Sequence, residues 1–309
     1  MDLQGRDFLS LRDYSAEEIL YLIDEATQFK EKFHRLEPSQ DLKGKTLGCL
    51  FEKTSTRTRV SVQVAMGFLG GNSLYLNWND LQLAVGEPIR DTASVLARYL
   101  HGILARVYAQ STLETLATYS EVPVINALSD LYHPMQTLAD LMVIKEYLGR
   151  LDNLKIAWVG DGNNVAHSLL IGAAKLGLDM TVASPANYRI NPEIEKYVME
   201  VASETGSQII LTEDPVEAVK GAHVVSTDTF VSLGDEAEKE KRYKDFKGYS
   251  VTKELVRTSD PNYIFLHCLP RKDPGPEAED VVFYGAHSVI WDQAENRLHT
   301  AGALFKNLL

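Results

Sequence analysis

The chain has 309 residues, 45% hydrophobic and 24% charged, with a formal net charge of −12 at pH 7. At about 150 residues per domain this length suggests two domains, each with enough apolar residues for its own core. The acidic balance excludes non-specific nucleic-acid binding, since no strong basic run offsets it, and two cysteines exclude a disulfide framework and make a reducing, cytoplasmic setting the default.

The opening stretch "MDLQGRDFLSLRDYSAEE" carries acids early and no continuous apolar core, so it reads as neither a signal nor a transit peptide. No apolar run approaches the ~18 residues of a membrane span, so no membrane partner is expected. A helix is predicted over 16–33. The run "TLGCLF" then gives a strand over 47–51, with Cys49 in the core. In the following stretch Val60, Val64 and Phe68 recur at i, i+4 and i+8. They predict a helix with that stripe buried, capped by Thr54 or Ser55 and ended at Gly70-Gly71. Its first turn holds Arg57 and Arg59 among four hydroxyls. Cations oppose the positive end of a helix dipole, so this composition makes sense if an anion rests there.

Strands over 73–76, 102–107 and 122–126 follow, with a helix over 91–99. A helix from Met135 to about Leu148 then ends at Gly149 and leads into the second half. There, strands over 155–159, 180–183, 208–211, 223–226 and 263–268 alternate with helices over 165–176 and 192–204. Such alternation predicts an α/β fold: two domains, each a parallel sheet flanked by helices, joined by interdomain helices. The expected division is 1–148 and 149–291, with a last helix over about 292–309 packing back on the first domain. The charged segment "GDEAEKEKRYKDF" reads as either a solvated helix or a loop over a site.

Candidate site residues follow strands. Arg57, Arg106 and His133 (before Pro134, with Gln136 one turn on) do so in the first half, and Asp228 and Cys268 in the second. Sheet C-terminal ends are where α/β proteins bind ligands, so both sets are expected to line an interdomain cleft. "WVGDGNN" begins like a dinucleotide fingerprint at Gly160 and Gly162. Val165 stands where the third glycine belongs, and no acid ends the next strand, so a nicotinamide oxidoreductase is disfavoured. Instead, Asn163 and Asn164 are expected to present amides to a cleft. Other catalytic signatures are absent, and the histidines and cysteines show no metal-ligand spacing.

The motifs "STRTR" (55–59), "HPMQ" (133–136), "HCLP" (267–270) and "DQAENR" (292–297) occur in one order and spacing. Over essentially the whole chain this resembles the aspartate/ornithine carbamoyltransferase family, and "GDGNNVAHS" and "TDTFVSLG" point to its ornithine branch. The resemblance implies transfer of a carbamoyl group from carbamoyl phosphate to L-ornithine, with no cofactor and no metal. It implies that Ser55, Thr56, Arg57, Thr58, Gln82, Arg106, His133, Gln136, Cys268, Leu269 and Arg297 bind carbamoyl phosphate. Asn164, Asp228, Ser232 and Leu233 would hold ornithine, with Arg106, His133, Cys268 and Asp228 catalytic. Gln82 would reach a neighbouring subunit's site in a homotrimer or an assembly of trimers. One departure concerns the acceptor loop. Phe230 and Leu233 stand where the branch usually has tryptophan and methionine, which leaves N-acetylornithine or putrescine as alternative acceptors. A non-catalytic family member would show a decayed arginine cradle, and every cradle position is filled.

Overall fold

The computed structural model describes residues 1–232, 236–272 and 275–309. The chain divides into two compact units, Met1–Met142 with Glu295–Leu309, and Val143–Ala294.

The first unit opens with α1 (Ala16–His34). Its start is set by a reciprocal capping box: Ser15 Oγ accepts from the Glu18 N–H at 3.1 Å, and Glu18 Oε2 accepts from the Ser15 N–H at 2.8 Å. Ile19, Leu22, Ile23, Ala26 and Phe29 form its buried stripe. Then come β1 (Thr46–Phe51), α2 (Arg57–Phe68), β2 (Asn72–Asn77), α3 (Ile89–Leu96), β3 (Gly102–Arg106), α4 (Gln110–Tyr119), β4 (Val124–Leu128) and α5 (Pro134–Leu148), within which the chain passes to the second unit. The four strands form a parallel sheet in the order β2-β1-β3-β4. β1, β3 and β4 are buried nearly throughout, which is why they read as continuous apolar runs rather than as alternating ones.

The second unit holds β5 (Lys155–Val159), α6 (Asn164–Lys175), β6 (Asp179–Ala183), α7 (Pro192–Thr205), β7 (Ile209–Thr212), α8 (Pro215–Val219), β8 (Val224–Thr227), α9 (Lys239–Asp245), β9 (Ile264–His267), α10 (Asp280–Phe283) and the start of α11 (Ile290–Leu308), whose greater part belongs to the first unit. Its parallel sheet has the order β7-β6-β5-β8-β9. Each predicted strand occurs within about two residues of its expected ends.

One expectation needs correction. The buried stripe of α2 is Thr58, Ser61, Val62, Ala65 and Met66, while Val60 and Val64 are 54% and 38% exposed. The buried face thus combines small residues at 61 and 65 with Val62 and Met66. Of the two readings of the segment 234–246, the described residues favour the solvated helix: a short 3-10 turn and α9 are mostly exposed, with Arg242 and Phe246 buried.

The topology decides where chemistry can occur. In the first sheet the chain moves outward from β1 to β2, then returns to place β3 on β1's other side. In the second, β6 and β7 lie on one side of β5, and β8 and β9 on the other. The carboxyl ends of β1 and β3, and of β5 and β8, therefore flank a switch point in each sheet, where ligands of α/β proteins bind.

Candidate active site

In the first unit the switch point carries the arginine cluster. Parallel pairing sets Phe51, the end of β1, beside Arg106, the end of β3. Four residues beyond Phe51 comes the hydroxyl-rich turn that opens α2. No acidic residue lies in the first turn of that helix and Thr56 makes no side-chain cap; the Thr58 N–H donates to Ser55 Oγ at 3.2 Å. A helix start built this way keeps its positive end for an external anion. Thr58 is buried, Ser55 and Arg57 are half-buried and Thr56 is exposed. Arg59 points elsewhere, its guanidinium 3.8 Å from the centre of the Tyr75 ring. Of the two arginines in the turn, it is Arg57 that remains a site candidate.

The third side of this cluster comes from α5 and α11. Arg297 is buried and donates from Nη1 to Gln136 Oε1 at 2.6 Å and from Nη2 to Thr58 Oγ1 at 3.3 Å. Gln136 in turn donates from Nε2 to Asp140 Oδ1 at 2.8 Å. His133 lies just ahead of α5, where its carbonyl accepts from the Gln136 N–H at 3.0 Å. Burial, then the charges of Arg297 and Arg106, hold its pKa well below the usual 6.5. The imidazole is therefore neutral at physiological pH and can donate an N–H to an oxyanion without adding a charge of its own. Thr58, Arg106, His133, Gln136 and Arg297 form one buried, electropositive group. Gln82 is exposed, in a 3-10 turn over Gln82–Val85.

The second unit holds a different constellation. β8 and β9 pair Thr227 with His267, so the next residues, Asp228 and Cys268, emerge side by side. The Cys268 thiol donates to Asp228 Oδ1 at 3.1 Å, and the Thr229 N–H donates to the same oxygen at 2.7 Å. Asn163 Nδ2 donates to Asp228 Oδ2 at 2.9 Å, while its Oδ1 caps α6 by accepting from the N–H groups of Val165 and Ala166. Asp228 is thus a carboxylate held on both oxygens by strand-end groups and suited to a cationic amine. Asn164 begins α6 and is half-buried, and Ser232 is half-buried on the loop after Asp228. Leu233 lies outside the described residues. Leu269 has φ +56°, and its N–H donates to His267 Nδ1 at 2.9 Å.

Two family models match the chain, that of the aspartate/ornithine carbamoyltransferase carbamoyl-P binding domain over residues 6–146 and that of the Asp/Orn binding domain over residues 152–308. This chain belongs to the aspartate/ornithine carbamoyltransferase family. Among its relatives, the ornithine carbamoyltransferase of Caldicellulosiruptor saccharolyticus is 53% identical over 97% of this chain and 97% of its own length. The anabolic ornithine carbamoyltransferase of Pyrococcus furiosus is 50% identical over 98% of this chain and 96% of its own. A solved structure of ornithine carbamoyltransferase from Pyrococcus furiosus superposes with a TM-score of 0.95, covering 100% of this chain and 98% of that one. One from Thermus thermophilus, 43% identical, gives 0.88 with 98% of each chain covered.

The amide expected at Asn163 does reach Asp228, from the N-cap position of α6. Two further features of this carbamoyltransferase are not evident in the sequence. Gly162 is required by close approach: a Cβ there would lie 2.5 Å from the Arg189 carbonyl carbon. Arg242 forms a buried ion pair with Asp161 and donates from Nε to the Phe230 carbonyl at 2.6 Å, tying α9 to the acceptor loop and the β5 turn. Its charged neighbours in sequence gave no sign of burial.

Proposed function

We propose that this carbamoyltransferase moves the carbamoyl group of carbamoyl phosphate to the δ-amine of L-ornithine, yielding L-citrulline and phosphate. The observation that carries the reading is the buried group around Arg297, Gln136, Thr58, Arg106 and His133 at a helix start, on a chain 53% identical to an ornithine carbamoyltransferase. In this reading residues 1–148 bind carbamoyl phosphate, residues 149–291 bind ornithine, and the helix from about 292 serves the first of these domains.

The phosphate of carbamoyl phosphate rests on the first turn of α2, with Ser55, Thr56 and Thr58 as donors and Arg57 and Arg106 neutralising the leaving group. Neutral His133 and the Gln136–Arg297 pair hold the carbamoyl oxygen and stabilise the negative charge that develops there. Cys268 and Leu269 are assigned to the same ligand's carbamoyl end. Asn164, Asp228, Ser232 and Leu233 hold the amino acid. The free δ-amine has a pKa of about 10.4, so it must lose a proton before its lone pair attacks. The C–N bond then forms, the C–O bond to phosphate breaks, and the nitrogen's second proton leaves with the products. Arg106, His133, Asp228 and Cys268 are the groups that touch the reacting atoms.

The departure at Phe230 is compatible with ornithine. Phe230 is buried and stacks on Phe246 with ring centres 4.6 Å apart, so it belongs to the core of its unit, where the smaller ring in place of tryptophan is absorbed. The exposure of Gln82 supports its service to a neighbouring subunit in a homotrimer or an assembly of trimers. Two thiol cysteines support a cytoplasmic setting, and no described helix is long and apolar enough to cross a membrane. The name of the Pyrococcus furiosus relative supports the synthetic direction, toward arginine. The test is citrulline formation from carbamoyl phosphate with L-ornithine, N-acetyl-L-ornithine, putrescine and L-aspartate compared. Ornithine far above the rest is expected; activity only with another amine would move specificity to the 230–233 loop and overturn this reading.

A further inference from the structure

At the far end of α1 from its capping box, three side chains that the mechanism does not use come together. His34 is the last residue of α1, and Glu295 and His299 lie four residues apart on one face of α11. Glu295 Oε1 is 2.6 Å from His34 Nε2 and 3.1 Å from His299 Nε2. One potential ligand atom from each of the three lies within 4.8 Å of the other two. The grouping is invisible in the linear sequence, because His34 and Glu295 are 261 positions apart. It is also graded in depth: the His34 side chain is 54% exposed and that of Glu295 37%, while His299 is fully buried. A dissolved ion therefore has an approach from one side.

We propose that His34, Glu295 and His299 form a binding site for a borderline divalent transition-metal ion such as Zn²⁺ or Co²⁺, pinning the C-terminal end of α1 to α11. Two imidazoles and one carboxylate are the donor set such ions favour, with a fourth position left for water. Without an ion, the carboxylate oxygen accepts hydrogen bonds from both rings. An ion entering among the three replaces those two hydrogen bonds with coordination through Nε2 of each ring, and the ring protons move to Nδ1. The phenyl rings of Phe29 and Phe33, 6.0 and 5.5 Å from His299 by ring centres, fix its ring plane and keep water off the inner ligand. Two features weaken the site. The Lys30 ammonium bears on both Glu295 and His299 as a like charge to the ion, and His299 Nδ1 is buried with no hydrogen-bond partner to receive its new proton. Micromolar affinity is therefore expected, below that of a dedicated structural zinc site.

The test is a titration of metal-stripped full-length protein with Co²⁺ at neutral pH, followed by visible d–d absorption and by the melting temperature. Wild type and Cys268→Ser are expected to show the same saturable band at one ion per chain, with no sulfur-to-metal charge-transfer band, and a rise in melting temperature on saturation. His34→Ala, at an exposed helix end, is expected to fold and keep carbamoyl transfer while losing both the band and the melting shift. Glu295→Gln, which keeps the shape and removes the anionic ligand, is expected to weaken binding at least tenfold. A band that survives in His34→Ala, one that disappears in Cys268→Ser, or no band in wild type at millimolar Co²⁺ would each overturn the proposal.

Discussion

The proposed cradle makes a sharp demand on Arg297. In Arg297→Ala, Gln136 Oε1 and Thr58 Oγ1 lose their donors at 2.6 and 3.3 Å, and His133 loses one of the two cations that depress its pKa. Hydrogen bonds from a charged donor contribute about 1.5–3 kcal/mol each. Against that stands the desolvation of a guanidinium buried near Arg106, which is several kcal/mol for an ion in a protein interior. The two nearly offset, so a net destabilisation of about 2 kcal/mol is expected and the variant stays folded. Catalysis has no such offset. Losing a preorganised donor at a developing oxyanion costs about 10²–10³ in kcat. The assay is steady-state citrulline formation at saturating ornithine, normalised to the folded fraction by circular dichroism, with the His133 ring titrated by NMR. The His133 pKa is expected to rise toward its ordinary value, and Arg297→Lys is expected to keep it low while restoring only part of the activity. Activity within tenfold of wild type, or a loss that vanishes after normalisation, would refute the reasoning.

Three further outcomes follow from the same geometry. Asp228→Asn removes the charge that Asn163, Thr229 and Cys268 surround; the KM for ornithine is expected to rise about 10- to 100-fold, matching a charged hydrogen bond of ~1.5–3 kcal/mol, with carbamoyl phosphate affinity measured by calorimetry unchanged. Gly162→Ala drives a methyl group into the Arg189–Ile190 backbone and is expected to cost about 1–3 kcal/mol in a chemical-denaturation experiment; an unchanged midpoint would show that this turn yields freely. Burial lowers the His299 pKa from 6.5 to about 4, so below pH 6.5 the unfolded chain binds a proton that the native state refuses. Stability from this group is full above pH 6.5 and is expected to fall by roughly 3 kcal/mol as the pH drops to 4, a slope that His299→Asn should flatten in urea melts at stepped pH.

Much of the fold is legible along the chain because parallel strands buried on both faces must be short apolar runs, and crossover helices must separate them. β5 is readable in "KIAWV" and β1 in "TLGCLF" for that reason alone. The composition of the first turn of α2 likewise announces an anion, since cations at a helix start are otherwise unfavourable. Other features needed the third dimension. The buried face of α2 is one that the Val60–Val64 periodicity does not give: Val60 and Val64 stay outside while Ser61, Val62, Ala65 and Met66 go in. Composition and helix position alone do not separate Arg57 from Arg59; the motif resemblance favours Arg57, and the Tyr75 ring 3.8 Å from the Arg59 guanidinium agrees with it. Asn163 and Arg242 acquire their roles from Asp228 and Asp161, through strand order and burial that no local pattern encodes. Local periodicity and chemistry are properties of neighbours in the chain, and they determined the elements, their order and the hydroxyl- and arginine-rich turn that opens α2. Contacts between residues a hundred or more positions apart, such as Arg297 with Gln136 or His34 with Glu295, exist only once the sheet and helices have packed. The tertiary structure alone decided them, because the energy of such a pair depends on a distance that the sequence does not contain.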